Sequence, residues 1–487
     1  MNRPTLLSAA LVAAALSGCA WLEPSFKLPS FSVPQQAEAS PALFVSPTVV
    51  GNWQVANPSP AQPRGEWWLM YNDTELNGYM SQALGNNPSL QVMAARVKQA
   101  RANSSLASSQ YFPQISANAG VSRGRTAPAQ AGLPDSAKTP TTTIYQTGLA
   151  ASYELDLFGR ISGEARTAKF EALATRDLYE SARLALQADV ANAWFTLRAA
   201  NTVQNAIAES LLLGEEGLVL ARQQYEVGDI SSQDYQAASA NLIALRNNAL
   251  TVAQQRAAAQ NQLATLIGQP AIGFNASSTQ PLSALPPLVP AGVPSTVLER
   301  RPDVAAAEHQ LAAANANIGA ARAAFFPSLT LTANGGFASQ NMGNLFNWNS
   351  NTWALGPLVT LPIFQGGALF ANLRFSKAKY EEAVATYKAQ VLEAFRDVAD
   401  SLNAHRTTLE QAAGQQQAYE ALERSAISSK QQLNVGDISK PEYIAARQIA
   451  LSAQIDQQQA LLNAYTASTQ LVRALGGGFD TSATTAK

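Results

Sequence analysis

Val227-Gly228-Asp229-Ile230-Ser231 returns unchanged as Val435-Gly436-Asp437-Ile438-Ser439, about 208 residues later. The flanks recur with it: Gln262-Leu263 and Leu266-Ile267-Gly268 are answered by Gln470-Leu471 and Ala474-Leu475-Gly476. Tyr111-Phe112-Pro113 is answered by Phe325-Phe326-Pro327, and Pro88 by Pro302, both about 214 residues on. A period this long is no solenoid repeat. It marks a duplicated half-protein, each half one architectural unit.

What surrounds the repeated turn decides the fold. No Pro interrupts Ile161 to Val227, and apolar residues recur at heptad spacing through Val190, Leu197, Leu211, Leu218 and Tyr225. A second line runs through Leu186, Ala193, Ala200, Ile207 and Ala221, with small residues that permit close helix approach. The stretch from Gly367 to Leu433 repeats the pattern with Val384, Val391, Val398, Ala412, Tyr419 and Ala426. At ~1.5 Å per residue such a helix is roughly 100 Å long, several times the width of a compact domain. Gly228 and Gly436 suit the left-handed residue that ends a helix. Ser231 and Ser439 then start return helices over Ser232–Ile267 and Lys440–Leu475, with Asp234 and Glu442 placed as capping-box acids.

Ahead of each long helix, a shorter one is expected from Pro88 to Gln110 and from Pro302 to Phe325, followed by two strands. Leu149, Ala151, Tyr153, Leu155 and Leu157 alternate with Ala150, Ser152, Glu154 and Asp156. Leu329, Leu331, Ala333 and Phe337 alternate with Ser328, Thr330, Thr332 and Asn334, and Trp353, Leu355, Val359, Leu361 and Ile363 form a fourth apolar side. Four such strands cannot close a barrel, which needs about eight. An open sheet edge in lipid leaves backbone groups unsatisfied. Three copies would supply twelve strands and a wet lumen lined by Glu154 and Asp156. The fold class is therefore mainly α with a small β part, completed by a trimer.

Composition agrees. Charged residues are only 14% of the chain, below the ~25% usual for soluble domains. The net charge of −1 offers no basic field for nucleic acid. The single Cys, Cys19, excludes an internal disulfide and a Cys-rich metal site. It closes Leu16-Ser17-Gly18-Cys19, behind Arg3 and the apolar run Leu6–Leu16, in the manner of an export signal. That string resembles a bacterial lipobox, with Cys19 lipidated; a plain signal peptide with an incidental Cys is the alternative. Ala20 after it resembles the sorting of outer-membrane lipoproteins.

The resulting division is 1–18 signal peptide, 19–65 Pro-rich extended strap, 66–285 first repeat, 286–476 second repeat and 477–487 tail. Strands are expected at 113–125 and 142–158, then 327–338 and 352–364. The hairpins are expected at 161–268 and 367–475.

Four strings carry a resemblance. They are Tyr153-Glu154-Leu155-Asp156-Leu157-Phe158-Gly159-Arg160, Leu298-Glu299-Arg300-Arg301-Pro302-Asp303, Phe325-Phe326-Pro327-Ser328 and Ile363-Phe364-Gln365-Gly366-Gly367. Together they resemble the outer-membrane efflux lipoproteins of the OprM/NodT branch of the TolC-like channels, over Glu66 to Gly476. The resemblance implies a homotrimer: a twelve-stranded barrel in outer-membrane lipid and an α-helical tunnel through the periplasm. It also implies a periplasmic adaptor protein and an inner-membrane RND-type pump as partners. The two Val-Gly-Asp-Ile-Ser turns match the tips that dock the adaptor. Asp234, Glu442 and Tyr443 match the periplasmic aperture, Glu442 as an acidic ring that holds cations. Ile438 and Ala445 depart from relatives with a tip Arg and a second Asp, which favours apolar packing in the closed mouth.

Other groups read as structural. His309 and His405 sit in separate helices, where a buried, hydrogen-bonded histidine is the plain expectation. Gly476-Gly477-Gly478 ends a helix and has no Lys-Ser/Thr to make a phosphate loop. Trp67-Trp68 suits packing or an interface equally. No nucleophile, base and orienter assemble, so neither an enzyme nor a cofactor is expected. An exit duct of an efflux pump is the leading function, and a duct for type I protein secretion the alternative; the duplicated hairpins argue against an adhesin.

Overall fold

The computed structural model describes residues 26, 28, 65–132, 134, 136–276, 280–287 and 300–477. The signal segment, Cys19, nearly all of the 19–65 strap, Leu298-Glu299 and the tail beyond 477 lie outside the described residues.

A short 3-10 turn at Trp67–Tyr71 leads to helices α1 (Thr74–Asn86) and α2 (Pro88–Ser108), then strands β1 (Gln114–Arg125) and β2 (Thr141–Leu155). The first hairpin follows as α3 (Arg160–Glu226) and α4 (Ser232–Leu266). The second half repeats the order with α5 (Pro302–Ala323), β3 (Ser328–Ser339), β4 (Asn351–Thr360), α6 (Ala368–Val435) and α7 (Lys440–Ala474). Every expected helix and strand is present. One helix was not expected: Asp73 caps α1 by accepting the Leu76 N–H at 3.0 Å, and Leu76, Met80 and Ala83 bury its inner face.

The chain forms two compact units. One takes in the described residues of Met1–Ser30, Val97–Thr175 and Ala307–Tyr387, and it holds the sheet. The four strands are all antiparallel, in the order β1-β2-β3-β4, which leaves β1 and β4 as edges. Register gives the sheet two chemically distinct faces, because directly paired residues share a side. Leu149, Ala151, Tyr153 and Leu155 lie opposite Gly335, Ala333, Leu331 and Leu329, and these lie opposite Trp353, Leu355, Pro357 and Val359. Ile115 and Ala117 of β1 join them beside Ala151 and Leu149. The other face carries Gln114, Ser116, Asn118, Gln146, Ser152, Glu154, Thr330, Thr332 and Asn334. The apolar face is bare: Trp353 is 78% exposed, Leu355 74% and Ile115 72%. Between β2 and β3 the backbones come so close at Gly148 and Gly336 that a Cβ on either would strike the facing strand.

Two expected stretches of strand are corrected. β4 ends at Thr360, which lies opposite Ser328, the first residue of β3; Leu361 and Ile363 therefore lie past the end of the ladder, and Pro362 between them has no N–H to extend it. β2 ends at Leu155, so Leu157 and Asp156 belong to the turn into α3.

The second unit takes in the described residues of Phe31–Arg96, Arg176–Ala306 and Lys388–Lys487. Its core gathers Trp67, Trp68, Leu76, Met80, Trp194, Phe195, Leu197 and Leu461. Phe195 packs between Tyr71 and Tyr465, with ring centroids 5.0 and 4.6 Å away. Asp73 serves this core three times: besides capping α1 it accepts Trp194 Nε1 and Arg198 Nη1, each at 2.7 Å. Trp67 and Trp68 are buried, and Trp67 Nε1 donates to Gln187 Oε1 at 3.0 Å, so this pair is packing. His405 is buried as expected, but neither ring nitrogen finds a hydrogen-bond partner among the described residues, and burial lowers its pKa.

Candidate functional site

The two repeated turns fold alike. Gly228 has φ 82° and Gly436 φ 84°, the left-handed region that strains any residue with a Cβ. In the first turn the Gly228 N–H reaches the Tyr225 carbonyl at 3.0 Å and the Asp229 N–H the Gln224 carbonyl at 2.8 Å. In the second, Gly436 donates to Leu433 at 3.2 Å and Asp437 to Gln432 at 2.9 Å. This double closure is the Schellman pattern, and it satisfies carbonyls the helix end would otherwise leave open. Both return helices start in complete capping boxes. Asp234 donates its N–H to Ser231 Oγ at 3.1 Å and accepts the Ser231 N–H at 3.2 Å. Glu442 donates to Ser439 Oγ at 3.4 Å and accepts the Ser439 N–H at 2.7 Å.

That capping sets the electrostatics of Glu442. The Ser439 N–H first, and the Ser439 hydroxyl second, hold its carboxyl below the ordinary carboxylate pKa. Its carboxylate is charged at neutral pH while its geometry is fixed. Tyr443, one residue on, has Lys440 Nζ 5.6 Å from its ring centre, and Lys440 also pairs with Glu216 of α3 at 2.9 Å. Ile230 and Ile438 are half-buried, whereas Val227 and Val435 stand 81% and 73% exposed at the ends of α3 and α6. At the first turn, Tyr225 and Tyr235 stack with centroids 5.5 Å apart.

One cluster near the second turn was not read from the sequence. Arg447 of α7 grips Glu209 of α3 with two bonds, Nε–Oε1 at 2.7 Å and Nη2–Oε2 at 3.0 Å. Its remaining arm, Nη1, meets Glu423 of α6 at 2.5 Å. A guanidinium fork that joins three helices is stronger than a point contact. The hydrogen bond to Glu209 raises the pKa of Arg447 well above its usual value, against the opposing pull of burial. One signal was available: Arg447 is the lone charge between Tyr443 and Ile455 in an otherwise Ala-, Ile- and Gln-rich helix.

In the sheet unit, the two acids expected on one strand face have separate tasks. Glu154 accepts Arg160 Nε at 3.1 Å and Nη2 at 2.8 Å. Asp156 accepts the N–H groups of Ile161 and Ser162 at 3.1 and 2.7 Å, capping the start of α3. A carboxylate spent on two backbone donors is a structural anchor first. Among the described residues no group of three His, Cys, Asp or Glu is placed to hold a metal ion.

Hairpins, capped turns and a two-faced sheet invite comparison with known channels. The family model described as "Outer membrane efflux protein" matches residues 79–269 and 293–477. The toluene efflux pump outer membrane protein TtgC of Pseudomonas putida is 36% identical over 486 residues, covering 98% of this chain and 96% of its own length. The cation efflux system protein CusC of Escherichia coli is 31% identical over 480 residues, covering 96% and 97%. Among solved structures, the Campylobacter jejuni CmeC outer membrane channel superposes with a TM-score of 0.82 at 26% identity, covering 95% of this chain and 96% of that one. The open state of the Neisseria gonorrhoeae MtrE outer membrane channel gives 0.74 at 30% identity, covering 94% and 98%. The match spans both halves of the duplication, so this chain belongs to the outer membrane efflux protein family and is an efflux channel of the Gram-negative outer membrane that extends into the periplasm.

Proposed function

We propose that the protein is the exit duct of a tripartite pump, a homotrimer whose β1 and β4 edges pair between copies into a twelve-stranded barrel. The observation that carries this reading is the sheet: apolar on one face, polar on the other, with both edges open. Lipid cannot satisfy those edges, and strand pairing between copies does. The apolar face then meets lipid and the polar face the lumen, where Glu154 contributes as an ion pair with Arg160 and Asp156 stays with its helix cap.

The hairpin turns Val227–Ser231 and Val435–Ser439 receive the periplasmic adaptor, offering Val227 and Val435 as apolar contacts. Asp234, Glu442 and Tyr443 surround the aperture, and an inner-membrane RND-type pump loads the duct. Cys19 carries the acyl anchor. Conduction is passive, and cargo is selected upstream: relatives at similar identity are named for toluene, antibiotics and cations.

The test expresses the chain with its genomically adjacent pump and adaptor in cells lacking their own duct. A heat-resistant species of three times the chain mass, restored dye export and an acylated Cys19 at the mature N-terminus are expected. Gly436→Trp should still form trimers but lose export, since the left-handed turn and the contact surface are both spoiled. Full export by that variant would remove the docking role from the turn. Rescue of protein secretion in place of dye export would favour the secretion duct.

A further inference from the structure

Only three residues in the four strands carry charge: Arg123, Arg125 and Glu154. Glu154 sits on the polar face, at the end where the chain passes into the helices, and is paired with Arg160. The two arginines are on the opposite side and at the opposite end. Val121 pairs with Tyr145, Arg123 with Thr143 and Arg125 with Thr141. These residues continue the same face that carries Ile115, Ala117, Leu149 and Ala151, and both arginines are exposed.

Their height on that face follows from the register. From the Leu155–Leu329–Val359 level to the Val121–Tyr145–Ser339 level the strand advances from residue 155 to residue 145 of β2. At ~3.4 Å per residue and a strand tilt of ~40°, that is roughly 26 Å, the height of the ~25 Å apolar band of an outer-membrane barrel. Arg123 is the first residue above this band on the side of the loops, away from the helices. It therefore stands at headgroup level in the outer leaflet. The cost of a lipid-facing arginine is high at mid-membrane and nearly vanishes there.

The local chemistry fits an anion. Arg125 Nε donates to Thr139 Oγ1 at 3.1 Å, which fixes the group and leaves its Nη donors free for a ligand. Among the described residues Arg123 makes no side-chain hydrogen bond or ion pair. Thr143 and Thr141, directly across from the two arginines, add hydroxyls on the same face. The strands place no carboxylate on this face to compete.

We infer that Arg123 and Arg125, with Thr141 and Thr143, form a binding site for the phosphates of outer-leaflet lipopolysaccharide. The site rests on the barrel reading above. Guanidinium groups grip phosphate oxygens in pairs, and a basic cluster at headgroup level gains further from the negative surface. The site ties each subunit of the barrel to the lipid that surrounds it.

The test compares wild type, Arg123→Gln/Arg125→Gln, and a matched loss of two exposed charges elsewhere, Arg101→Gln/Arg424→Gln. Full-length trimers in neutral detergent are titrated with purified lipopolysaccharide, with the same lipid after phosphatase treatment, and with inorganic phosphate. Wild type and the control should bind lipopolysaccharide about tenfold or more tightly than the Arg123/Arg125 variant, with the advantage fading at high salt. Dephosphorylated lipid should bind all three equally, and millimolar inorganic phosphate should not displace the lipid. Equal binding by wild type and the variant overturns the site, as does an equal loss in the control or indifference to the phosphatase. Displacement by inorganic phosphate overturns the assignment to lipid. Insertion into neutral phosphatidylcholine vesicles is measured in parallel. A wild type that cannot insert defeats the barrel reading and the site with it; one that inserts but binds no better than the variant defeats the site alone.

Discussion

The two hairpins share their turn, their cap and a 35-residue return helix, yet the return helices have different surroundings. In α7 fifteen residues are buried, among them Leu451, Leu461 and Leu471, and Ile449 alone of its large apolar side chains is exposed; in α4 only five are buried, with Leu250 left 71% and Ile243 55% exposed. The latches differ in the same sense. α7 is held to α3 and α6 by Arg447, whose side chain is 19% exposed, whereas α4 is held to α3 by Arg246–Glu215, with both side chains more than half exposed. Duplication has kept what neighbours in sequence decide and has let go what neighbours in space decide. One return helix packs mainly within its own subunit. The other presents an apolar row that a second copy of the chain would cover.

The sharpest way to break this contrast is to truncate one leucine on each helix. Leu461→Ala removes a side chain 1% exposed and should cost ~3 kcal/mol of subunit stability. It should lower both the helical melting temperature and the temperature at which trimers dissociate on a gel. Leu250→Ala should lower trimer dissociation by a few degrees and leave the helical melt in place. If Leu250→Ala changes neither, α4 is not a subunit interface and the contrast loses its meaning.

Charge reversal at the latches is the next comparison. Arg447→Glu would set a third carboxylate against Glu209 and Glu423, partly out of water. Breaking a fully buried pair costs ~3–5 kcal/mol, and partial exposure reduces that to about 2 kcal/mol here. Arg246→Glu, on a solvated pair, should cost ~0.5 kcal/mol. In planar bilayers the first variant should raise the resting conductance several-fold and the second should leave it unchanged. Equal conductance changes would show that α7 is no more constrained than α4.

What could be read from the sequence divides along the same line. The turns, caps, long helices and strand faces depend on residues within a few positions of one another, and Gly228, Ser231, the heptad lines and the alternation through Leu149–Leu155 all declared them. The Arg447 latch joins residues 238 positions apart, and no local pattern states that Glu209 will be its partner. Asp156 kept its polar alternation in sequence while its carboxylate turned to the backbone of α3, because a helix start offers better donors than a strand face. Helix α1 had its cap in Asp73 and its apolar row in Leu76, Met80 and Ala83, but Gly78 and the break at Asn87-Pro88 blurred the period. His405 is buried, as expected, but the expected hydrogen bond is not found among the described residues, because a partner would have to come from side chains that only the tertiary packing brings near.

The smallest effect is expected where the two hairpins are most alike, at Asp234 and Glu442. Glu442→Gln keeps an oxygen for the Ser439 N–H and so keeps the cap, but it removes one charge per subunit from the proposed aperture. Cation preference in planar bilayers should fall, most visibly at low salt, where screening is weakest. The sign with pH follows from the capped carboxylate. Its pKa lies below the unfolded value because the charged form accepts the Ser439 N–H and hydroxyl. The associated stability is therefore fully present above the ordinary glutamate range near ~4.3 and is lost as pH falls through the lower folded value. Wild-type cation preference should accordingly stay flat from neutral pH down to about 5 and drop only in stronger acid, while Glu442→Gln stays flat throughout. Asp234→Asn makes the same change at the first turn, where α4 lies on the less buried side. A smaller selectivity change there would mean that the internal hairpin sets the mouth. An equal change would make the two acids one ring, and the difference between the hairpins would then stop short of their tips.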